Sequence, residues 1–112
     1  MKYKNISPWF SMREQGNTDY KCRWIFFPFA GAAPSALHAV ANRLSSDVQV
    51  LIVDLPGRGK RMKEPLFDNV HTITEQLLNE FTALPDLPTY FFGYSLGTLI
   101  AYELAIALKE KI

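Results

Sequence analysis

The chain has 112 residues and a formal net charge of +1 at pH 7, with 48% hydrophobic and 21% charged residues. This composition is typical of one small globular domain, and the near-neutral charge gives no general attraction to nucleic acid or to an acidic membrane. The single cysteine, Cys22, cannot form an internal disulfide, and no apolar run approaches the roughly 18 residues of a membrane span. The sequence therefore predicts a cytoplasmic protein that does not act at a membrane.

The first strand–helix unit follows a polar amino-terminal segment of 22 residues, whose one apolar pair is Trp9 and Phe10. This segment is predicted to be an arm that docks through the two aromatic rings. Residues 23–28 form a nearly continuous apolar run, as expected of a strand buried on both faces. Small residues at 29–33 predict a loop, and apolar side chains at helical spacing then predict a helix that ends near residue 45.

Two more strand–helix units complete the pattern. Residues 48–53 predict a second buried strand, and residues 89–92 a third. Between them, a capping box that starts at Thr72 predicts the beginning of an amphipathic helix. Residues 96–108 predict the last helix, since they contain no proline and many apolar side chains. The alternation of strands and helices predicts an α/β fold with a parallel sheet and right-handed crossovers.

A G-x-S-x-G motif, Gly93 to Gly97, stands between the third predicted strand and the last helix. Such an elbow holds its serine, here Ser95, in a strained turn and lifts the hydroxyl out at the top of the sheet. The glycines are small because the strand and helix backbones pass close together there. The alternative interpretation is a turn with a bystander serine, but the position between strand and helix favours a nucleophile.

A serine nucleophile also needs an oxyanion hole and a general base. In elbow enzymes one oxyanion donor is the N–H that follows the serine, here that of Leu96, and the other comes from the loop after a neighbouring strand. The small-residue loop at 29–33 supplies the N–H of Ala30. If the first predicted strand lies between the other two, in order 2-1-3, both donors meet above Ser95 at the carboxyl ends of neighbouring strands.

Three stretches of the chain, in the same order, resemble the type II thioesterases, stand-alone α/β-hydrolases that accompany nonribosomal peptide and polyketide synthases. They are Phe27-Pro28-Phe29-Ala30-Gly31-Ala32, Asp54-Leu55-Pro56-Gly57-Arg58-Gly59 and Phe92-Gly93-Tyr94-Ser95-Leu96-Gly97. The resemblance implies hydrolysis of an acyl group from the phosphopantetheine thiol of an acyl or peptidyl carrier protein. It makes Ser95 the nucleophile and the N–H groups of Leu96 and Ala30 the oxyanion donors. It implies no cofactor and no metal, because the phosphopantetheine arrives with the substrate.

Further residues are implicated in binding. Where the family usually has histidine, this chain has Phe29 and Tyr94, and we expect both side chains to shape the pocket. The densest charge in the chain includes Arg58, Lys60 and Lys63. The simplest interpretation of this basic cluster is a solvated loop. The functional interpretation is a docking site for an acidic carrier protein. A nucleic-acid site is disfavoured because no aromatic residues are interleaved with these charges.

The end of the chain departs from the family. Elbow enzymes place an acid and then a histidine after the serine, but no Asp and no His follows Ser95 here. His38 and His71 precede the serine and are interpreted as structural or surface residues. The sequence therefore predicts that residues 1–112 are the amino-terminal part of a single α/β-hydrolase domain, without acid, histidine and lid, and inactive alone. The fold expected is a three-stranded parallel sheet with flanking helices. The alternative is a non-catalytic, degenerate fragment that at most binds carrier protein.

Overall fold

A five-stranded sheet forms the centre of the computed structural model, which describes residues 3–16, 19–27, 38–54, 70–93 and 96–111. Its strands are β1 (Tyr3–Asn5), β2 (Phe10–Arg13), β3 (Cys22–Phe27), β4 (Val48–Val53) and β5 (Thr89–Gly93). The helices are α1 (His38–Ala41), α2 (Val70–Thr82) and α3 (Leu96–Lys111). The strands lie side by side in the order β1-β2-β4-β3-β5.

The parallel part of the sheet has the predicted arrangement. β3 lies between β4 and β5 and pairs in parallel with both. Along the chain these are the second, first and third predicted strands, so the order 2-1-3 is confirmed. Phe27, at the end of β3, is in register with Gly93, at the end of β5. The two sequence motifs that follow β3 and β5 therefore begin at the same end of the parallel strands.

The sheet has two strands besides the three predicted parallel ones, because the amino-terminal segment adds them. β1 and β2 form an antiparallel pair, and β2 pairs antiparallel with β4, with Phe10 opposite Val53. Trp9 and Phe10 are buried, so docking through these aromatic rings is confirmed. β2 was not predicted because it contains the polar residues Ser11 and Arg13, which are nevertheless buried. Each is hydrogen-bonded within the protein, which hydropathy alone cannot show.

Helices cover both faces of the sheet. On one face Ala41 of α1 packs against a cluster that includes Phe26 and Ile52. On the other face α2 and α3 pack against a second cluster that includes Ile25 and Leu51. The two sets alternate along β3 and β4 because successive side chains of a strand point to opposite faces. This two-sided cover is the layering expected of an α/β protein.

Two helix boundaries differ from the predicted ones. α2 already includes Val70, so Thr72 lies inside the helix and the predicted capping box is wrong. α1 ends at Ala41 rather than near residue 45, and a turn follows in which the N–H of Leu44 donates to the carbonyl of Ala41 at 3.1 Å. Within the described ranges, no helix is both long and apolar enough to cross a bilayer.

Candidate active site

The predicted elbow is flanked by a strand and a helix, as the sequence motif requires. β5 ends at Gly93 and α3 begins at Leu96. Two residues, Tyr94 and Ser95, connect the strand to the helix, and both lie outside the described residues. The strand and the helix that were predicted on either side of the serine are thus confirmed. The position of the serine itself stays a prediction.

Gly93 shows why this junction needs a glycine. A Cβ atom built on Gly93 would lie 2.5 Å from Cα of Thr98, 2.7 Å from its nitrogen and 2.8 Å from the carbonyl oxygen of Gly97. All three are backbone atoms of α3, so they cannot move aside as the end of a flexible side chain can. The close approach of strand and helix inferred from the motif is therefore present at Gly93.

Replacing Gly93 by alanine is expected to lower the free energy of unfolding by about 1–3 kcal/mol, because the added methyl group forces α3 away from β5. Urea unfolding followed by circular dichroism would measure the change. Gly16→Ala is the matched control, since a Cβ at Gly16 would have no atom within 4 Å. Equal stability of the two variants would show that the junction can relax at little cost.

Leu96, the predicted oxyanion donor, is the first residue of α3. The first N–H groups of a helix have no acceptor within the helix, and the helix dipole adds partial positive charge at this end. This position agrees with the role predicted for the N–H of Leu96, which stays a prediction.

Ala30 lies outside the described residues, but the strand that leads to it is well placed. β3 ends at Phe27, which pairs with Gly93 of β5. Neighbouring strands are about 4.8 Å apart, so Phe27, three residues before Ala30, lies directly beside the elbow strand. The predicted meeting of Ala30 and Ser95 is compatible with this register. The other predicted binding residues also lie outside the described residues. They are Phe29, Tyr94, Arg58, Lys60 and Lys63.

His38 has a structural environment far from the elbow. Its ring stacks on that of Tyr3 in β1, with centroids 3.9 Å apart and an interplanar angle of 8°. The Tyr3 hydroxyl donates to Oδ1 of Asn42 at 2.6 Å. Burial raises the pKa of Tyr3, and the charge of Arg13 opposes this in part. β1 lies four strand spacings from β5, about 19 Å at the usual separation.

The second histidine, His71, belongs to the first turn of α2, and its side chain is not described.

Sequence reasoning assigned no role of its own to Asp54, a buried residue at the carboxyl end of the parallel strands. It directly follows β4. Its carboxylate oxygen Oδ2 accepts from the Ser11 hydroxyl at 2.8 Å and from the Asn5 amide at 3.4 Å. Its N–H donates to the carbonyl of Trp9 at 2.8 Å.

These contacts assign Asp54 to the amino-terminal strand pair. Asn5 and Ser11 lie on the side of β4 that faces away from β3 and β5, so the carboxylate points away from the elbow. Asp54 therefore connects the end of β4 to the amino-terminal strands. It does not point toward the elbow, where an acid would have to lie to orient a base at Ser95. The Asp-Leu-Pro-Gly sequence by itself is typical of a turn, and a buried partner such as Ser11 gives no local signal.

Comparison with known proteins agrees with this geometry. Residues 23–111 match the thioesterase domain family. The gramicidin S biosynthesis protein GrsT of Aneurinibacillus migulanus is 31% identical over 106 residues, which are 95% of this chain and 41% of GrsT. The family match includes β3 except its first residue, the elbow and all of α3.

Solved structures show the same fold. The type II thioesterase BorB from the borrelidin biosynthetic cluster superposes with a TM-score of 0.86 and 27% identity, covering 96% of this chain and 44% of BorB. The RedJ thioesterase from the prodiginine pathway of Streptomyces coelicolor gives a TM-score of 0.71 and 35% identity, over 82% of this chain and 37% of RedJ. The chain thus spans less than half the length of these relatives. It belongs to the thioesterase domain family.

Proposed function

We propose that this chain forms the nucleophile-bearing part of a serine thioesterase. The enzyme would hydrolyse acyl groups from carrier-protein phosphopantetheine thioesters in nonribosomal peptide or polyketide biosynthesis. The observation that carries this proposal is the junction of β5 and α3, where Gly93 permits a close approach and a G-x-S-x-G serine stands between strand and helix. The biosynthetic roles printed for GrsT and BorB support the substrate class.

In the proposed mechanism, the Ser95 hydroxyl attacks the thioester carbonyl carbon while a general base takes its proton. The N–H groups of Leu96 and Ala30 stabilise the oxyanion. The carbon–sulfur bond then breaks, and the phosphopantetheine sulfur leaves with the proton that the base had taken. A water molecule, deprotonated by the same base, hydrolyses the acyl-serine and regenerates the hydroxyl.

The remaining assignments follow from the same proposal. Phe29 and Tyr94 line the space beside the serine and set its shape for the acyl group. The protein itself holds no cofactor, because phosphopantetheine is delivered by the carrier protein. The enzyme acts in the cytoplasm, where Cys22, a free cysteine in the structure, remains reduced.

A chimera tests this function. Joining this chain to the part of BorB that it does not cover restores a full-length domain, in which an acid and a histidine follow the serine as the elbow enzymes require. We expect the chimera to hydrolyse an acyl carrier protein, and Ser95→Ala to reduce kcat by at least about a thousandfold. A folded chimera that is inactive, or one whose activity survives Ser95→Ala, would refute the proposal.

A second candidate function rests on the sequence after Ser95, which contains no Asp and no His. The chain could then be a degenerate relative that binds carrier protein and catalyses nothing. In that case the chain alone would bind an acyl carrier protein, and Ser95→Ala would leave the affinity unchanged. A calorimetric titration with both forms measures this binding. The activity of the chimera separates the two candidates, since only the enzyme loses hydrolysis on Ser95→Ala.

The basic loop gives a prediction about association. Reversing Arg58, Lys60 and Lys63 to glutamate in the chimera should slow association with an acidic carrier protein by roughly tenfold or more at low salt. It should also weaken the salt dependence, because rim charges act mainly on the association rate. Stopped-flow fluorescence would measure both effects.

Its matched control compares two lysine pairs with equal charge change. Lys60 and Lys63 are reversed in one variant, and Lys4 and Lys21, which are exposed, in the other. Only the first should slow association. If the two pairs behave alike, the cluster is an ordinary solvated loop.

A further inference from the structure

The carboxyl end of β4 is held from the side of the amino-terminal strands. β3 pairs with β4 as far as Ile52, whereas β2 pairs with it as far as Val53. Beyond Val53 the N–H of Asp54 donates to the carbonyl of Trp9 at 2.8 Å. The pairing with β2 thus continues further toward the following loop than the pairing with β3.

The side chain of Asp54 is attached to the same strand pair. Its Oδ2 accepts from the Ser11 hydroxyl at 2.8 Å and from the Asn5 amide at 3.4 Å. Asn5 is opposite Ser11 in the register of β1 and β2, so the two donors are neighbours. A buried carboxylate requires such donors, and hydrogen bonds to a charged acceptor are stronger than those between neutral groups. The backbone and the side chain of Asp54 are therefore both fixed by the amino-terminal segment.

The amino-terminal pair carries polar side chains along this whole face. Tyr3 and Arg13 are opposite each other in the register, and they lie two residues from Asn5 and Ser11, so the four side chains share one face. Tyr3 and Arg13 bind the segment at the end of α1, whereas Asn5 and Ser11 bind Asp54. The attachment at Asp54 is the one at the carboxyl end of the parallel strands, where the elbow follows β5.

The basic cluster of Arg58, Lys60 and Lys63 follows Asp54 closely along the chain. Arg58 is four residues away, so its Cα atom lies within about 14 Å of that of Asp54 even in a fully extended chain. A fixed Asp54 therefore limits the space that the cluster can occupy. Such preorganisation lowers the cost of ordering a loop on binding, and charges that face a complementary partner raise the association rate.

We propose that Asp54 is a positioning residue for association with the carrier protein. Held by Ser11 and Asn5, it keeps the start of the basic loop at the carboxyl end of β4, and the loop then presents its charges to an acidic partner. Asp54 acts through the loop and touches no reacting atom. The inference rests on the proposed function, because it gives the amino-terminal strands a role in how that enzyme meets its substrate.

The first test uses the 112-residue chain. Ser11→Ala removes the hydroxyl that donates to Asp54 and adds no atom. We expect residue-resolved amide hydrogen exchange at the Asp54 N–H to become at least about tenfold faster, whereas exchange in the centre of β3 changes less than about twofold. Thr89→Val is the matched control, since it removes a hydroxyl that makes two hydrogen bonds at the amino end of β5. Unchanged exchange at Asp54 in Ser11→Ala would overturn the proposal.

The second test uses the chimera with the uncovered part of BorB. At low salt, Ser11→Ala should slow association with an acidic acyl carrier protein about threefold in stopped-flow fluorescence, and Thr89→Val less than about 1.5-fold. With a carrier-free acyl-pantetheine thioester, kcat should stay within about twofold in both variants. A purely structural role of Ser11 would instead lower both rates, and that result would overturn the proposal.

Reversal of Lys60 and Lys63 to glutamate tests whether Asp54 acts through the basic cluster. In that background Ser11→Ala should change the association rate by less than about 1.5-fold, because the charges that Asp54 positions are gone. The same threefold effect in both backgrounds would overturn the assignment. A chimera that hydrolyses neither substrate contradicts the proposed function, while its association rates still decide this inference. An active chimera in which Ser11→Ala associates at the original rate contradicts this inference alone.

Discussion

The purified 112-residue chain is expected to hydrolyse a short acyl-phosphopantetheine thioester with a kcat far below about 1 s⁻¹, at the low end for enzymes. Ser95→Ala should change this rate little. A serine hydroxyl is a weak nucleophile without a base, and no Asp or His follows Ser95. In serine hydrolases, loss of one triad member leaves about 10³–10⁴-fold acceleration over water, from the oxyanion hole and binding alone.

The geometry of His38 strengthens this expectation. Its ring is stacked on Tyr3 at the edge of the sheet opposite to β5. A base must come within hydrogen-bond reach of the serine hydroxyl, and the width of the sheet separates these positions. His38→Ala should therefore leave the residual rate unchanged. A turnover of about 1 s⁻¹ or faster that Ser95→Ala abolishes would mean that a base exists within these residues.

The positive control is the chimera with the uncovered part of BorB, assayed under the same conditions. Rates are compared with the uncatalysed reaction in the same buffer, so that a small contribution from the oxyanion donors remains measurable. An active chimera and an inactive chain would assign the missing chemistry to the part that this chain lacks.

The parallel core was predictable because its signals are local. Residues 23–28 and 48–53 are apolar without interruption, as strands buried on both faces must be, and the structure has β3 and β4 there. The order of these strands followed from a chemical argument, namely that the loop with Ala30 must lie beside the elbow strand. The register of Phe27 with Gly93 agrees with that argument.

The amino-terminal strands escaped prediction because their stability comes from distant partners. Ser11 and Arg13 look like surface residues in the sequence, yet both are buried in β2. Most of their polar groups are satisfied by Asp54 and by backbone carbonyls from Ala41 onward, 28 or more residues away. No local pattern encodes such contacts, so burial of a polar side chain can be recognised only when the partner is known.

α3 has apolar side chains around most of its circumference, a pattern typical of a helix that is buried on most sides. Ile100 and Leu104 are buried, whereas Leu99, Tyr102 and Ile106 are exposed. The sequence shows that α3 is rich in apolar side chains but not which of them are buried, because that depends on how α3 packs against β5 and α2.

Arg13→Met is expected to destabilise the fold by about 3 kcal/mol or more, the largest stability effect that we predict. The Arg13 side chain is fully buried in β2. Its Nε donates to Oε1 of Gln15 at 2.5 Å. Its other donors bind four backbone carbonyls at 2.7–3.1 Å, those of Ala41, Leu44, Ser45 and Val48. The guanidinium thus joins β2 to the segment between α1 and β4.

All five acceptors are uncharged, so the cation is stabilised by oriented dipoles rather than by a carboxylate. The last carbonyls of a helix have no partner within the helix, and a cation at this end also interacts favourably with the helix dipole. Methionine fills a similar volume but removes all of these hydrogen bonds, which costs free energy. The carbonyls of Ala41 and Ser45 each keep one other donor, the N–H groups of Leu44 and Val48. Arg13→Lys keeps the charge but offers three donors without the planar fork, so we expect an intermediate loss.

Urea unfolding of the three proteins, monitored by circular dichroism, would measure these differences at equal m-values. Lys4→Met is the control, since it removes the same charge from the neighbouring strand at an exposed position and should change stability by no more than about 0.5 kcal/mol. A loss for Arg13→Met no larger than for Lys4→Met would mean that water replaces the guanidinium at these carbonyls without cost. The amino-terminal strands would then be held by their pairing with β4, by the hydrogen bond between Ser11 and Asp54 and by the burial of Trp9 and Phe10.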